Sequence, residues 1–232
     1  MAHPTIQVQT EFLYFLTFRI HLFPATAETL LFTLLPYHTE NIFIRLIQIV
    51  ALPEKFSFLS QYSDLRTSST LPPPPRQLFI RALSKDPSFL ETYFTFLVSR
   101  IKRGNGYSSM ITTWSGLTIE TILQMRQSRI PDETIVFRVM PFIAQGLQMR
   151  ESAEFEVACY MVLTVLASKR TLAEDVINAA MDAICQGWTE ESRKGAVMCL
   201  VTLARSRQGE IAFTDYSVKS LFSQRYIFLR RG

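Results

Sequence analysis

Glycine is scarce in this chain, eight residues in 232. That excludes a glycine-rich nucleotide fold and a turn-dense β-sandwich, and no Walker or Rossmann glycine pattern occurs. Cysteine is scarcer: Cys159, Cys185 and Cys199 are odd in number and far apart. With no CxxC pair or His-x-His spacing beside them, they read as small buried apolar residues in a reducing compartment, not as a metal site or disulfide set. Charge is modest, with 19% charged residues and a net +4. Such a balance permits contact with RNA or an acidic protein, but it does not mark a dedicated nucleic-acid domain. The apolar stretch Phe12–Phe23 is about 12 residues, too short to cross a bilayer, and Arg19 and His21 lie inside it. No basic segment precedes it and no small-residue cleavage site follows, so it reads as a buried helix of a soluble protein, with no membrane partner. Serine, histidine and acidic residues occur without a nucleophile-elbow or triad pattern. The expectation is therefore no enzyme, no cofactor and no small-molecule substrate.

What is present is helical. Hydrophobic residues make up 48% and aromatics 12%, enough for one sizeable core or several stacked helix pairs. Apolar positions recur at i, i+3, i+4 and i+7, and period-2 alternation is nearly absent. Thr26 can cap a helix ended by Pro36, and Thr39 the next, with Glu40 in its first turn. Asp86-Pro87 opens a helix running to about Arg103, which Gly104-Asn105-Gly106 breaks. Thr171-Leu172-Ala173-Glu174 has the form of a capping box, and Thr189 with Glu190 and Glu191 repeats the start signal after Gly187. The pattern predicts about ten helices joined by short loops.

An internal repeat is legible. Ile143-Ala144-Gln145-Gly146-Leu147 recurs as Ile184-Cys185-Gln186-Gly187-Trp188, and Thr164-Val165-Leu166-Ala167-Ser168 as Val201-Thr202-Leu203-Ala204-Arg205. A period near 40 with two helices per unit predicts an all-α chain, an α-solenoid of HEAT- or armadillo-like antiparallel helix pairs. In the segment 151–187, Phe155, Cys159, Val162, Leu163 and Leu166 form one apolar stripe; Val176, Ile177, Ala180, Ile184 and Cys185 form the one expected to face it. Met140, Met149, Met161, Met181 and Met198 fall at helical spacings and read as core fillers.

Two strings in the amino-terminal part carry a resemblance: Phe18-Arg19-Ile20-His21-x-Phe23, and Leu35-Pro36-Tyr37-His38-Thr39 opening the next helix. They resemble the amino-terminal region of the very large HEAT-repeat, U-three snoRNA-associated subunit of the small-subunit processome, a member of its UTP-A (t-UTP) subcomplex. The similarity extends over roughly residues 11–208, including Leu78–Arg103, Trp114 and the stretch Gly146–Ala204. Relatives carry two arginines where this chain has Leu16-Thr17, which weakens any phosphate contact there. They are also far longer, with further helices on both sides. The organisation expected is an amino-terminal helical segment (1–62), a proline-rich linker (63–75), HEAT-like repeats (76–208) and a divergent or mobile tail (209–232). The run Pro72–Pro75 favours polyproline II and reads as a stiff spacer; docking of an SH3- or WW-like domain is the other reading.

The resemblance implies a nucleolar scaffold in small-subunit rRNA processing. Its partners would be UTP-A subunits, including WD-repeat propeller proteins, and the 5′ external spacer of the pre-rRNA through the assembled complex. A generic HEAT-like adaptor without a ribosomal role is the alternative. His21 and His38, beside aromatics, read as hydrogen-bonded packing residues, and Phe18, Ile20, Phe23, Tyr37 and Phe43 as buried. Arg100, Lys102 and Arg103, followed by a flexible loop, are the candidate contact to RNA or an acidic partner; a solvated helix end is the simpler reading. Arg230 and Arg231 lie in the terminus.

Overall fold

The structure is a computed structural model and describes residues 27–63, 72–86, 88–125, 132–149, 151–206 and 213–220. The string around Phe18, Ile20, His21 and Phe23, together with Thr26, Arg230 and Arg231, lies outside these residues. Every regular element among the described residues is a helix. The α-helices are α1 (Ala27–Leu34), α2 (Asn41–Ile49), α3 (Arg76–Lys85), α4 (Ser88–Lys102), α5 (Ser108–Met125), α6 (Asp132–Gln148), α7 (Ala153–Lys169), α8 (Glu174–Cys185) and α9 (Arg193–Ser206). A tenth, α10, is described over 215–220. Two 3-10 segments, Leu35–Tyr37 and Glu54–Tyr62, flank α2. None of the described helices is long and apolar enough to cross a membrane.

The chain forms two compact units, Met1–Phe89 and Leu90–Gly232. The division falls after the proline run, because aromatics beyond it complete the first core. Phe32, Phe56 and Phe89 meet pairwise at 5.0–5.3 Å between ring centroids. Phe79 of α3 lies 5.5 Å from Phe58 and 6.2 Å from Phe43. Such contacts add about 0.5–1.5 kcal/mol per pair beyond area burial. Pro75, the last of the prolines, has the φ −70°, ψ 146° of polyproline II and leads directly into α3. Phe43 is fully buried as expected, but Tyr37 is 44% exposed, because the 3-10 turn at Pro36 swings its ring outward. The start of α2 also differs from expectation: its N-cap is Glu40, one residue after Thr39, with no side-chain cap bond.

The second unit is layered. Helix α7 packs against α5 on one side and α9 on the other, and against α6 across the layer; α8 packs on α6 and α9. Helices α5, α7 and α9 thus make one layer and α6 and α8 the other, with α6–α7 and α8–α9 as the antiparallel pairs. This is the packing of a HEAT-like array. The repeated strings take equivalent places: the first pair ends α6 and α8, and the second pair ends α7 and α9. The expected facing of the α7 and α8 stripes is corrected here. Both stripes are buried except for half-buried Val176, but α7 points its apolar residues at α5, α6 and α9. A helix apolar on every side is one held within a layer, and α7 buries Phe155, Ala158, Cys159, Tyr160, Val162, Leu163 and Leu166 around its circumference.

Local chemistry sets the ends. The Ser88 amide donates to Asp86 Oδ1 at 2.9 Å, capping α4 as expected. Gly104, at φ +71°, closes α4, and the Asn105 amide bonds back to the Arg100 carbonyl. Ahead of α9, the Ser192 amide donates to Thr189 Oγ1 and the Thr189 amide to Ser192 Oγ, a reciprocal cap. The capping box expected at Thr171 does not form the start of α8; that helix begins at Glu174, with extended Ala173 at its N-cap. Helix α10 reuses the α9 device: the Ser217 amide donates to Thr214 Oγ1, and both hydroxyls also donate to Asp182 of α8. Its Ser220 hydroxyl reaches the Cys185 carbonyl. Within the segment expected as a tail, residues 215–220 are therefore helical and docked on α8.

Candidate binding surfaces

The interior offers packing chemistry. Trp114, Phe94 and Phe155 meet at 5.4–5.9 Å, with all three rings buried. The Tyr160 hydroxyl donates to Glu156 Oε1 at 2.8 Å inside the core. Arg170, just past α7, donates through Nη2 to the Ile122 carbonyl at 2.8 Å, tying that loop to the end of α5. All three cysteines are free and buried. Burial raises each thiol above its usual pKa, Cys199 to about 12, so none is a ready thiolate nucleophile. Among the described residues no three His, Cys, Asp or Glu side chains gather as a metal site.

His38 is held as expected: Nδ1 lies 3.1 Å from the Leu35 carbonyl, and the ring meets Phe79 edge-on at 5.0 Å. Burial lowers its pKa, with the neighbouring Arg76 charge a smaller contribution in the same direction.

The expected basic contact sits at the end of α4. Arg100 stacks over Phe96, with its guanidinium 5.1 Å from the ring centre, and is half-buried. Lys102 and Arg103 are exposed, and so is Tyr107 across the glycine turn, at 62%. Only two of the three cations therefore project freely from this turn.

Two further surfaces escaped the sequence reading. An open groove of about 420 Å³ runs between α5 and α7, lined by Ser108, Ile111, Thr112, Ala158, Met161 and Glu154, among others. The second is an exposed stripe on α9 containing Val197, Met198 and Val201. Met161 and Met198, expected as core fillers, are 52% and 62% exposed, whereas Met149 and Met181 are buried. Helical spacing puts a methionine on a face; it does not say whether that face is covered. The signal in the sequence was the repeat itself, which makes Met198 the counterpart of Met161.

The class these features define is a layered array of paired helices. Comparison with known proteins places it further. A sequence model of the family described as U3 small nucleolar RNA-associated protein 10 matches residues 135–227. The protein of that name from Aspergillus oryzae is 28% identical over 201 residues, covering 82% of this chain and 11% of the relative. The Neurospora crassa protein is 30% identical over 202 residues and the Yarrowia lipolytica protein 29% over 191, with the same coverage. The chain belongs to the U3 small nucleolar RNA-associated protein 10 family. It spans about 11% of the length of the curated relatives it matches. The family match continues through residue 227, beyond α9 and α10 and into the segment read from sequence as a divergent end.

Proposed function

We propose that this chain is a non-catalytic scaffold segment of the nucleolar small-subunit processome, from the amino-terminal region of its large HEAT-like subunit, acting in pre-rRNA processing. The observation that carries this reading is the similarity over 82% of the chain to proteins named as U3 small nucleolar RNA-associated. The layered helices support it, because such arrays bind partners over extended surfaces. In this reading the direct partners are UTP-A proteins, WD-repeat propellers among them. The 5′ external spacer is reached through the assembled complex, with Arg100, Lys102 and Arg103 as a minor contact. The place of action is the nucleolus, and a link to pre-rRNA transcription belongs to the same reading. The generic HEAT-like adaptor is the alternative.

Affinity purification of the tagged chain, with RNA sequencing and mass spectrometry, tests the proposal. Small-subunit precursor RNA and UTP-A proteins should co-purify. Protein partners recovered with no precursor RNA would favour the adaptor instead.

A further inference from the structure

The groove between α5 and α7 exists because small residues face each other across it. Ser108, Thr112 and Ser115 on one side and Ala153 and Ala158 on the other do not fill the space between the two helices, and about 420 Å³ stays open. The floor is apolar: Ile111 and Ala158 are buried, Val157 is half-buried, and Met161, 52% exposed, stands at one end. At the other end stand two carboxylates, Glu154 in the first turn of α7 and Glu191 just ahead of α9. The α7–α9 register brings them side by side. Gly195 lies against Val157 and Tyr160, so Glu191, one turn earlier, falls beside Ala153 and Glu154. Both carboxylates are exposed, and neither forms an ion pair with a described residue, whereas Glu190 takes Arg193 at 3.8 Å. No basic residue lines the groove, although the net charge of the chain is +4. An acidic residue at a helix start suits the helix dipole, but that does not account for an apolar floor left open beside it.

We infer that this groove is a docking site for an extended segment of a partner protein that carries apolar side chains next to a pair of arginines or lysines. The cations follow from Glu154 and Glu191, and the apolar side chains from the floor, where the thioether of Met161 adapts to what it meets. The extended form follows from the α5 wall. Ser108 and Thr112 are exposed there, and their hydroxyls bond no described residue. A helix has already paired its backbone groups, whereas an extended segment brings open amides and carbonyls to such hydroxyls. From Glu154 to Met161 is about 10 Å along α7 at 1.5 Å per residue, the length of about three extended residues. Nucleic acid does not suit the site, because its phosphates would meet the two carboxylates. The inference is independent of which complex the chain serves.

The test uses the 232-residue chain and two fluorescein-labelled peptides, Gly-Leu-Ser-Leu-Ser-Arg-Arg-Gly and its reverse-order counterpart, which cover both chain directions. Fluorescence anisotropy at low salt should show at least one of them binding. Replacing both of its arginines by glutamate, or both leucines by serine, should weaken that binding about tenfold. Met161→Asp in the chain, at an exposed position that leaves the circular-dichroism melt unchanged, should weaken it by a similar factor. Glu154→Arg with Glu191→Arg in the chain should reverse the preference, so that the glutamate peptide binds better than the arginine one. No binding of either peptide, equal binding after the leucines are replaced, an inert Met161→Asp or an unreversed preference would each overturn the inference. So would an RNA oligonucleotide whose binding is lost in Met161→Asp, which would make nucleic acid the occupant, or a Met161-dependent dimer in sedimentation, which would make it a second copy.

Discussion

Gly146 of α6 shows how little room the second unit leaves for a single atom. A β-carbon there would stand 2.3 Å from the sulfur of fully buried Cys159, with the Phe155 ring 3.4 Å away. Both side chains are fully buried, so Gly146→Ala should destabilise the chain by about 1–3 kcal/mol, as overpacked cores do. Adding Cys159→Ala removes the clashing sulfur, and the double variant should be less impaired than the sum of the two single ones. Urea denaturation of the four proteins checks both statements. His38 supplies a residue-scale prediction in pH. Its folded pKa lies below the unfolded value, so the unfolded chain takes up the proton first as pH falls. The stability contributed by neutral His38 is complete above the unfolded value of about 6.5 and is lost as pH falls through the lower folded value. Wild type should therefore lose more stability than His38→Gln between about pH 8 and pH 5.5. Equal losses in urea midpoint would remove His38 from the pH response.

At the scale of elements, helix ends and helix faces answer to different forces. The reciprocal bonds of Thr189 and Ser192 satisfy two amides that would otherwise be left open at the start of α9. Thr189→Ala should cost about 0.5–2 kcal/mol, and adding Ser192→Ala should cost less than a second independent loss, since each residue bonds the other. Thermal melts of the single and double variants decide it. Faces respond to burial. Trp114 on α5 touches Phe94 and Phe155, which ties three helices to one side chain. Trp114→Ala should destabilise by about 3–5 kcal/mol, measured as the fall in urea midpoint at unchanged slope.

For the molecule as a whole, charge decides what can be bound directly. The net charge is +4, and the basic turn after α4 offers Lys102 and Arg103 freely while Arg100 leans on Phe96. Two or three phosphate contacts give a logarithmic salt slope of only about −1.5 to −2 on single-stranded RNA. The isolated chain should therefore bind RNA weakly and without sequence preference, its stable partners being proteins. A filter-binding titration at physiological salt, with 5′ external spacer RNA beside an unrelated RNA of equal length, reads this directly. Nanomolar binding that prefers the spacer would move the function from protein scaffold to RNA recognition.

Local signals in the chain settled the all-helical class, the cap at Asp86, the break at Gly104 and the repeat near 40 residues. Periodicity, caps and glycine act within a few residues, so they are written wherever they act. The resemblance carried by Leu35-Pro36-Tyr37-His38-Thr39 and by the later helices pointed to the family that the comparisons then showed. What the sequence left undecided was which faces meet. The stripes on α7 and α8 have equally apolar residues, and only stacking assigns α7 to α5 and α9 and sends α8 to α6. Met161 and Met181 share a residue type and a helical setting, yet one is 52% exposed and the other fully buried. Burial depends on the neighbour that arrives, and that neighbour is set by the packing of distant segments.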